Sequence, residues 1–281
     1  MMNILKLIRI KHWIKNILIF LPLIGARMFK MDSIYDCILA FFSFSFLSSF
    51  IYIINDLRDI EKDRMHPTKK NRPLASGKIK KGVAIIIAFV LLCLSVAINT
   101  YVNGSLLNSS FYFLLAYLLI NLGYSFGLKN VAILDVALLA AGFIIRVYYG
   151  ASIINVEVSN WLFLTVLNAS LFLGLGKRKK EFTQSKDSRK VLDSYSENFL
   201  DKFQYMNLSL TIVFYSLWVV EQNIKYLFLT IPLILIIFMR YCLIIEKSDE
   251  GDPTTVIYKD KLLLSLCFLY GVIIILLLGV L

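Results

Sequence analysis

The sequence has few of the residues on which most hydrolytic and transition-metal centres depend. Only two histidines, His12 and His66, occur among its 281 residues. This scarcity excludes a histidine-rich metal site and argues against a Ser-His-Asp hydrolase. The four cysteines lie singly within apolar runs, without the spacing of a zinc site or of a disulfide framework. We therefore interpret them as small hydrophobic residues buried in the membrane.

Long polar segments are also scarce. No polar stretch exceeds about thirty residues, so no second soluble domain is expected. The N-terminus is basic, but no small-residue cleavage site follows it, and we expect no signal peptide. Hydrophobic residues make up 58% of the chain and the mean hydropathy is +0.73. These values are too high for a soluble globular protein.

Apolar runs recur along the whole chain, and most have the ~17–25 residues that a membrane-spanning helix needs. They predict an all-α integral membrane protein with nine transmembrane helices in one domain, residues 1–281. The first span is the weakest, because Pro22 interrupts it and Arg27 and Lys30 follow. The candidate spans are 13–28, 34–54, 83–102, 106–122, 131–151, 161–175, 203–220, 226–245 and 262–281.

The distribution of the basic residues predicts the orientation of this helical path. The chain carries 30 lysines and arginines against 19 acidic residues, a net charge of +11. Along nine helices, 26 of the 30 fall on one side of the membrane. By the positive-inside rule this side is cytoplasmic, with the N-terminus inside and the C-terminus outside. The predicted cytoplasmic loops are about 55–82, 123–130, 177–202 and 246–261.

The most informative segment, residues 55–63, reads N-D-L-R-D-I-E-K-D and directly follows an apolar run. If the preceding helix continues beyond the membrane, Asn55, Asp59 and Asp63 lie on one face, with Asp56 beside them. Such oxygen ligands suit Mg²⁺, which proteins hold with one or two carboxylates while substrate phosphates complete the shell. The alternative is a solvated helix end with alternating charges. We predict that these four residues bind Mg²⁺ and that Asp56, Asp59 and Asp63 serve catalysis through it.

Both large cytoplasmic loops carry excess positive charge around their acids. Loop 55–82 has nine basic and four acidic residues, and loop 177–202 has eight and five. Mg²⁺ ligands in a positive surrounding attract polyphosphate, because the metal and the cations share its negative charge. The alternative role of these cations is membrane orientation and contact with anionic lipid head groups.

Five further residues are candidates for binding phosphate or a substrate, and one of them, Arg146, is also a candidate catalytic residue. Arg146 lies in the middle of an apolar span, where a charge costs at least ~2.5 kcal/mol, so it should face the interior and an anion. Lys129 lies in a short turn between helices, and Arg72 precedes the turn P-L-A-S-G. Lys15 and Asn16 belong to R-I-K-H-W-I-K-N, which is typical of an interfacial segment but could also reach a cavity.

The acidic segment also carries a family resemblance. N-D-L-R-D-I-E-K-D-R at 55–64, followed by H-P-T-K-K-N-R-P-L-A-S-G, resembles the first aspartate-rich motif of the UbiA superfamily of membrane prenyltransferases. The similarity continues through 124–136 and 142–151 and covers most of the chain. It implies a nine-helix bundle whose active-site cavity faces the cytoplasm and opens sideways to lipid. It also implies Mg²⁺ as the cofactor that binds a diphosphate.

Within the superfamily the chain most resembles the decaprenyl-phosphate phosphoribosyltransferases. The shared features are R-x-K-x-W-x-K-N at Arg9–Asn16, G-K-R-x-x-E at Gly176–Glu181, the pair Ser194-Tyr195 and the acidic stretch Glu250–Asp260. The resemblance implies transfer of a 5-phosphoribosyl group from phosphoribosyl diphosphate to a polyprenyl phosphate, with release of diphosphate. It also places the reaction in cell wall biosynthesis.

One departure from the wider superfamily supports this choice. Aromatic prenyltransferases carry a second carboxylate-rich motif where this chain has G-K-R-K-K-E, with Glu181 among four cations. A basic patch suits an additional bare phosphate rather than a second metal. Lys177 and Arg178 are therefore candidates for placing phosphates, together with Glu181 and Tyr195, and Tyr124 is a candidate to orient one through its hydroxyl. The acceptor phosphate needs no general base, because it is mostly dianionic at neutral pH.

Two alternative functions stay open. One is a UbiA-type prenyl transfer from a prenyl diphosphate to an aromatic or quinone-precursor acceptor. The other is an anion transporter. Transporters usually concentrate ionisable groups near the midplane and show internal repeats, whereas here these groups cluster at one face, with Arg146 the main exception, and no repeat is seen. We expect the lipid bilayer as the surroundings and no nucleic-acid partner, and a homo-oligomer stays open.

Overall fold

The computed structural model describes residues 2–66, 69–184, 190–247 and 253–280, and every regular element in these ranges is helical. Parts of the predicted loops 177–202 and 246–261, with the start of the stretch Glu250–Asp260, lie outside the described residues. The α-helices are α1 (Met2–Leu7), α2 (Leu21–Gly25), α3 (Met31–Arg58), α4 (Ile60–Met65), α5 (Lys81–Asn103), α6 (Ser109–Phe126), α7 (Leu134–Ile153), α8 (Asn160–Gln184), α9 (Glu197–Glu221), α10 (Thr230–Lys247), α11 (Pro253–Lys259) and α12 (Lys261–Val280). Short 3₁₀ helices cover Ile10–Phe20, Lys69–Asn71, Leu128–Asn130, Lys190–Ser194 and Leu227–Leu229.

Seven helices in these ranges are long and apolar enough to cross a membrane. They are α3, α5, α6, α7, α9, α10 with the turn before it, and α12. Each of them coincides with one predicted span, which confirms an all-helical chain with several membrane-crossing helices. The predicted count of nine is not confirmed.

The two remaining predicted spans differ for separate reasons. Span 13–28 forms the 3₁₀ helix Ile10–Phe20 and then the five-residue α2, because Pro22 lacks the N–H that would continue one helix. Span 161–175 lies within α8, which is 25 residues long. That helix carries Asn168 and the basic run 177–180, and these polar residues lower its mean hydropathy.

The described chain divides into two compact units. Unit 1 comprises Met1–Leu21, Lys30–Ser125 and Ile145–Val156, and unit 2 comprises Pro22–Phe29, Phe126–Ile144 and Glu157–Leu281. In unit 1, α3 packs against α5 and against the 3₁₀ helix of the N-terminal segment. A Cβ atom on Gly150 would lie 2.0 Å from the carbonyl oxygen of Ile19, so this approach of α7 to the N-terminal segment requires glycine.

In unit 2, α8 packs against α9, and α10 packs against α12. Aromatic residues are prominent among the buried side chains, with Tyr215 and Trp218 in one apolar cluster and Phe172 and Tyr241 in another. A third cluster, around Val136, Leu175, Val191, Tyr195 and Leu200, joins the start of α7 to α8 and to the segment before α9. This third cluster supports the polar residues described below.

Local sequence signals explain several helix ends. Asp32 lies in the first turn of α3 and Arg58 in its last turn, as the helix dipole favours. Gly104 ends α5 with a φ of 69°, a left-handed conformation that costs glycine little. The hydroxyl of Ser196 accepts a hydrogen bond from the backbone N–H of Phe199 at 3.2 Å and so caps α9.

Candidate functional site

The acidic segment of unit 1 continues the backbone path of α3 with one break. Asp59, between α3 and α4, has φ −95° and ψ 12°. Its backbone N–H still donates to the carbonyl oxygen of Asn55 at 3.0 Å, and that of Asp63 donates to the carbonyl oxygen of Asp59 at 2.8 Å. The four-residue spacing therefore persists in the backbone, although the uninterrupted helix considered above does not form.

Two of the four predicted oxygen ligands, Asp56 and Asp63, are buried and share arginine partners. Nη2 of Arg9 donates to Oδ1 of Asp56 at 2.5 Å. Nη1 of Arg72 donates to the same oxygen at 3.1 Å and to Oδ2 of Asp63 at 2.6 Å. One guanidinium nitrogen thus lies between carboxylates that belong to different helices, α3 and α4.

The other two predicted ligands have different surroundings. Oδ1 of Asn55 accepts a hydrogen bond from the hydroxyl of Ser125 at 2.8 Å, and Nη1 of Arg58 donates to the carbonyl oxygen of Ser125 at 2.7 Å. These bonds connect the end of α3 to the end of α6. The carboxylate of Asp59 is half-buried and makes no hydrogen bond or ion pair within the described residues.

The oxygen donors of the acidic segment fit Mg²⁺ only if a phosphorylated ligand completes the coordination shell of the metal. Across residues 2–66, 69–184, 190–247 and 253–280, no group of three or more His, Cys, Asp or Glu side chains could hold a metal alone. Mg²⁺ does not require such a group, because it keeps several waters and takes one or two carboxylates plus substrate phosphates. The convergence of Asp56 and Asp63 on one cationic nitrogen is a geometry that suits this use.

Arg72 is held in place by the turn that the sequence predicts. The hydroxyl of Ser76 donates to the carbonyl oxygen of Arg72 at 2.8 Å, and the backbone N–H of Ile79 donates to the carbonyl oxygen of Pro73 at 3.1 Å. Gly77 has a φ of 73°, which the turn requires and which glycine adopts without strain. The loop thereby presents the guanidinium of Arg72 to the carboxylates.

Arg146 belongs to a buried polar group inside unit 1. Its Nε donates to Oδ1 of Asn16 at 2.7 Å, and its Nη2 donates to the hydroxyl of Tyr117 at 2.8 Å. The guanidinium lies 4.8 Å from the ring centre of Tyr117 and 5.0 Å from that of Phe44. Nδ2 of Asn16 donates in turn to the hydroxyl of Ser45 at 2.8 Å. The structure therefore brings the predicted residues Asn16 and Arg146 together, and the predicted residues Lys15 and Tyr124 are half-buried in the same unit.

Unit 2 contains a second polar cluster, built on Arg178 of α8 and Asp135 in the first turn of α7. Nε of Arg178 donates to Oδ2 of Asp135 at 2.5 Å, and its Nη1 bonds Glu181 one turn further along α8. The hydroxyl of Tyr195 donates to Oδ1 of Asp135 at 2.6 Å and accepts from the N–H of Ile133 at 2.6 Å. Burial, with the hydrogen bond to Asp135, raises the pKa of Tyr195 to about 12.

The backbone beside this cluster is strained. Ile133 has a φ of 68°, a left-handed conformation that is unfavourable for a β-branched residue. Its hydrogen bond to Tyr195 helps to hold it there. The other predicted cations of unit 2, Lys129 and Lys177, are half-buried on the 3₁₀ helix Leu128–Asn130 and on α8.

Arg9 and Asp135, which form ion pairs in these clusters, are not among the candidates that the sequence suggests. Asp135 carries a usable signal, because an acid inside the predicted span 131–151 indicates a function or a buried partner. Arg9 carries no such signal, since it is one of four cations in a basic N-terminal segment. Its partner Asp56 is 47 residues away, and only the fold reveals the pair.

Comparison with known proteins gives the family. The model of the UbiA prenyltransferase family matches residues 20–279. The decaprenyl-phosphate phosphoribosyltransferase of Corynebacterium glutamicum is 31% identical, over 96% of this chain and 86% of that protein. The enzyme of the same name from Mycolicibacterium smegmatis is 30% identical, over 93% of this chain and 87% of that protein.

The fold has the same relatives. A UbiA homolog from Archaeoglobus fulgidus, solved with GPP and Mg²⁺, aligns with a TM-score of 0.73 over 97% of this chain and 99% of that chain, at 20% identity. The same homolog solved with DMAPP and Mg²⁺ aligns with a TM-score of 0.71. With the seven apolar helices, these matches indicate a multi-pass membrane protein and confirm the resemblance that the motifs predict. The chain belongs to the UbiA prenyltransferase family.

Proposed function

We propose that this chain transfers a 5-phosphoribosyl group from phosphoribosyl diphosphate to a polyprenyl phosphate and releases diphosphate. The observation that carries the proposal is the similarity, over more than nine-tenths of the chain, to relatives named decaprenyl-phosphate phosphoribosyltransferase. The arrangement of Asp56, Asp63 and Arg72 supports it independently, because paired carboxylates beside cations suit a metal-bound diphosphate. Cell wall biosynthesis is the pathway that we propose for the product.

In this proposal the carboxylates of unit 1 hold Mg²⁺ against the diphosphate of the donor. Asp56 and Asp63 supply two oxygens, Asp59 offers a third that has no partner in the described chain, and Asn55 supports them at the end of α3. Bound there, the metal would neutralise charge that develops on the diphosphate as its bond to C1 of the sugar breaks. We propose no general base, since a phosphate monoester at neutral pH is already a nucleophilic dianion.

Cationic and polar side chains would bind the phosphate groups. Arg146 and Asn16 are the best placed of them in unit 1, because their hydrogen bonds fix a guanidinium inside the bundle. The remaining proposed substrate-binding residues are Lys15, Arg72 and Tyr124 in unit 1 and Lys129, Lys177, Arg178, Glu181 and Tyr195 in unit 2. Direct contact of Arg178 with a phosphate stays a prediction, and its bonds to two carboxylates already give it a structural role.

The setting that we propose is the cytoplasmic face of the cell membrane. The N-terminus would lie inside and the C-terminus outside, as the distribution of basic residues favours. The acidic segment and its arginines would then face the pool of soluble phosphoribosyl diphosphate. The polyprenyl tail would occupy an apolar groove that opens to lipid, in a bundle of nine transmembrane helices.

A second candidate function, prenyl transfer to an aromatic or quinone-precursor acceptor, is favoured by the family match and by neighbours solved with GPP or DMAPP. Membranes that contain the chain separate the two functions. One reaction receives labelled phosphoribosyl diphosphate with polyprenyl phosphate, and the other receives labelled prenyl diphosphate with 4-hydroxybenzoate. We expect labelled lipid only in the first, and labelled aromatic product with no labelled lipid would reverse the choice.

The variants Asp63→Ala and Glu61→Ala test the role of the acidic segment in that assay. Asp63 is buried against Arg72, whereas Glu61 lies in the same helix, is exposed and pairs with Arg64. We expect Asp63→Ala to lose at least about 100-fold in Mg²⁺-dependent turnover, since metal-based charge stabilisation is worth several kcal/mol. Glu61→Ala should keep its activity within about twofold, because exposed pairs contribute little. Near-normal turnover in Asp63→Ala contradicts the metal assignment.

A further inference from the structure

Arginines occupy the carboxylates that the proposed function gives to a metal. Arg9 and Arg72, the arginine pair, come from the N-terminal segment and from the loop after α4. Together they place two positive charges on Asp56 and Asp63, which carry two negative charges. The four side chains therefore form a neutral group, and one divalent cation would neutralise the same two acids.

The exposures of these side chains indicate which of them can move. The side chains of Arg9 and Arg72 are 21% and 30% exposed, whereas those of Asp56 and Asp63 are 4% and 6% exposed. The acids are thus fixed in the interior, and the cations approach them from the side of the solvent. An arginine that leaves its carboxylate enters water and pays no burial cost for its charge.

The backbone around Arg9 is anchored, so only the side chain of Arg9 is placed to move. Its backbone is left-handed, with φ 51° and ψ 49°, which is uncommon for a residue other than glycine. Its guanidinium lies 4.7 Å from the ring centre of Tyr52, which can retain it as the ion pair opens. The flanking chain is anchored, because the hydroxyl of Ser49 donates to the carbonyl oxygen of Ile8 and Nε1 of Trp13 donates to that hydroxyl. Movement is therefore confined to the side chain.

We propose that the arginine pair neutralises the charges of Asp56 and Asp63 while no metal is bound. When Mg²⁺ binds the two carboxylates, the arginines move to the diphosphate. The inference rests on the proposed function and adds Arg9 to its binding residues. Phosphate oxygens are strong hydrogen-bond acceptors for guanidinium groups, so two arginines released beside a bound diphosphate can bind it. Mg²⁺ thus frees the arginines that bind the diphosphate, and the diphosphate draws the arginines away from the carboxylates that bind Mg²⁺. Metal binding and substrate binding are therefore coupled.

The test is a titration of the purified protein in nanodiscs of zwitterionic lipid, stripped of metal with EDTA. The rise in unfolding temperature with added ligand reports binding to the folded state. One series receives MgCl₂ alone, and the other receives MgCl₂ with inorganic diphosphate. Arg9→Gln and Arg72→Gln remove the pair one member at a time. Lys11→Gln removes an exposed charge from the N-terminal segment and Arg64→Gln removes one from α4, just before the loop of Arg72, and both serve as controls.

We expect opposite changes in the two series. Arg9→Gln and Arg72→Gln should bind Mg²⁺ alone about tenfold more tightly than the wild type, because a charged hydrogen bond no longer competes for the acid. They should bind Mg²⁺ with diphosphate about tenfold more weakly. The controls should change by less than about twofold at ~0.15 M salt, where exposed charges are screened beyond ~8 Å.

The outcomes separate this inference from the proposed function. Mg²⁺ affinity in Arg9→Gln no higher than in Lys11→Gln contradicts the exchange, even if diphosphate and metal still bind together. No Mg²⁺-dependent stabilisation of the wild type in either series contradicts the metal site itself and, with it, the exchange. If the glutamine variants do not fold, Arg9→Lys keeps a cation but loses the planar fork. It should bind Mg²⁺ alone about threefold more tightly than the wild type, and an unchanged affinity also counts against the proposal.

Discussion

Units 1 and 2 both contain arginine–aspartate pairs, and the pairs of Asp56 and Asp63 in unit 1 are buried differently from the pair Arg178–Asp135 in unit 2. In unit 2 the side chains of Arg178 and Asp135 are both 0% exposed, and each belongs to a long helix. In the pairs of unit 1 only the acids are buried, and their arginines, on the N-terminal segment and on the loop after α4, are 21% and 30% exposed. We therefore expect the burial of the cation to decide whether such a pair can open.

This difference in burial suggests different roles for the ion pairs of the two units. A pair with both members buried is costly to break, because either residue alone leaves an uncompensated charge in the interior. Tyr195 adds a second hydrogen bond to the carboxylate of Asp135, so this group fixes the start of α7 to α8 and to the segment before α9. The pairs of unit 1 lack this enclosure and are suited to exchange with a ligand. Stability measurements can test the contrast directly.

The largest effect is expected from Asp135→Ala. The substitution leaves the guanidinium of Arg178 buried with Glu181 as its remaining carboxylate, and loss of one member of a buried pair costs about 3–5 kcal/mol. Asp56→Ala should cost only about 1 kcal/mol, because Arg9 and Arg72 can turn into water. Unfolding temperatures in detergent, measured without metal, compare the two.

A double variant sharpens the same contrast. Replacing both members of the pair, as in Asp135→Leu with Arg178→Met, should recover much of the stability that Asp135→Ala loses, since apolar pairs often replace buried ion pairs without cost. Equal losses in Asp135→Ala and Asp56→Ala would show that the burial of the cation does not separate the two regions.

A smaller loss of stability is expected at Arg146, whose charge is buried among hydrogen-bond acceptors and ring faces. Arg146→Ala leaves Asn16 and Tyr117 without one partner each, at a cost of about 1–3 kcal/mol, so the variant should still be expressed. We expect the KM for the donor or for the acceptor to rise at least tenfold, because the proposed anion contact is lost. Steady-state kinetics with each substrate varied in turn measures this.

The control for that prediction is Arg240→Ala in unit 2. Arg240 pairs with Asp260 at 2.7 Å, is partly exposed and is not among the proposed binding residues. Both Michaelis constants should keep their wild-type values in this variant. If they are also unchanged in Arg146→Ala, the buried guanidinium has only a structural role and must be removed from the proposed site.

The sequence predicts the membrane helices well where apolar composition alone is enough to identify a spanning helix. Seven predicted spans coincide with helices because runs of apolar residues need no knowledge of their neighbours. The first span is not a single helix, since Pro22 and the 3₁₀ backbone of Ile10–Phe20 replace it. The end of α3 is also not predicted, because the four-residue spacing of the acidic segment does not reveal the break at Asp59.

The candidate site is predictable as a list of residues but not as a set of contacts. The motif spacing selects Asp56 and Asp63, yet one of the two arginines on Asp56 comes from 47 residues away. The same limit applies to Arg178, whose basic run in the sequence suggests a phosphate site and whose side chain pairs with Asp135. Such pairings depend on which helices pack together, and no local pattern contains that information.

The smallest expected effect concerns Tyr195 and the pH dependence of unit 2. Its raised pKa, about 12, means that the folded protein keeps the hydroxyl protonated where the unfolded chain, near 10, does not. The contribution is complete below pH 10 and declines as the pH rises from 10 to 12, because the unfolded state then binds fewer protons. Tyr195→Phe should be less stable at pH 8 but should lose less between pH 10 and 12 than the wild type. Tyr226→Phe, at an exposed position, should lose as much stability between pH 10 and 12 as the wild type. Equal losses in all three proteins would show that the bond of Tyr195 to Asp135 does not contribute to stability.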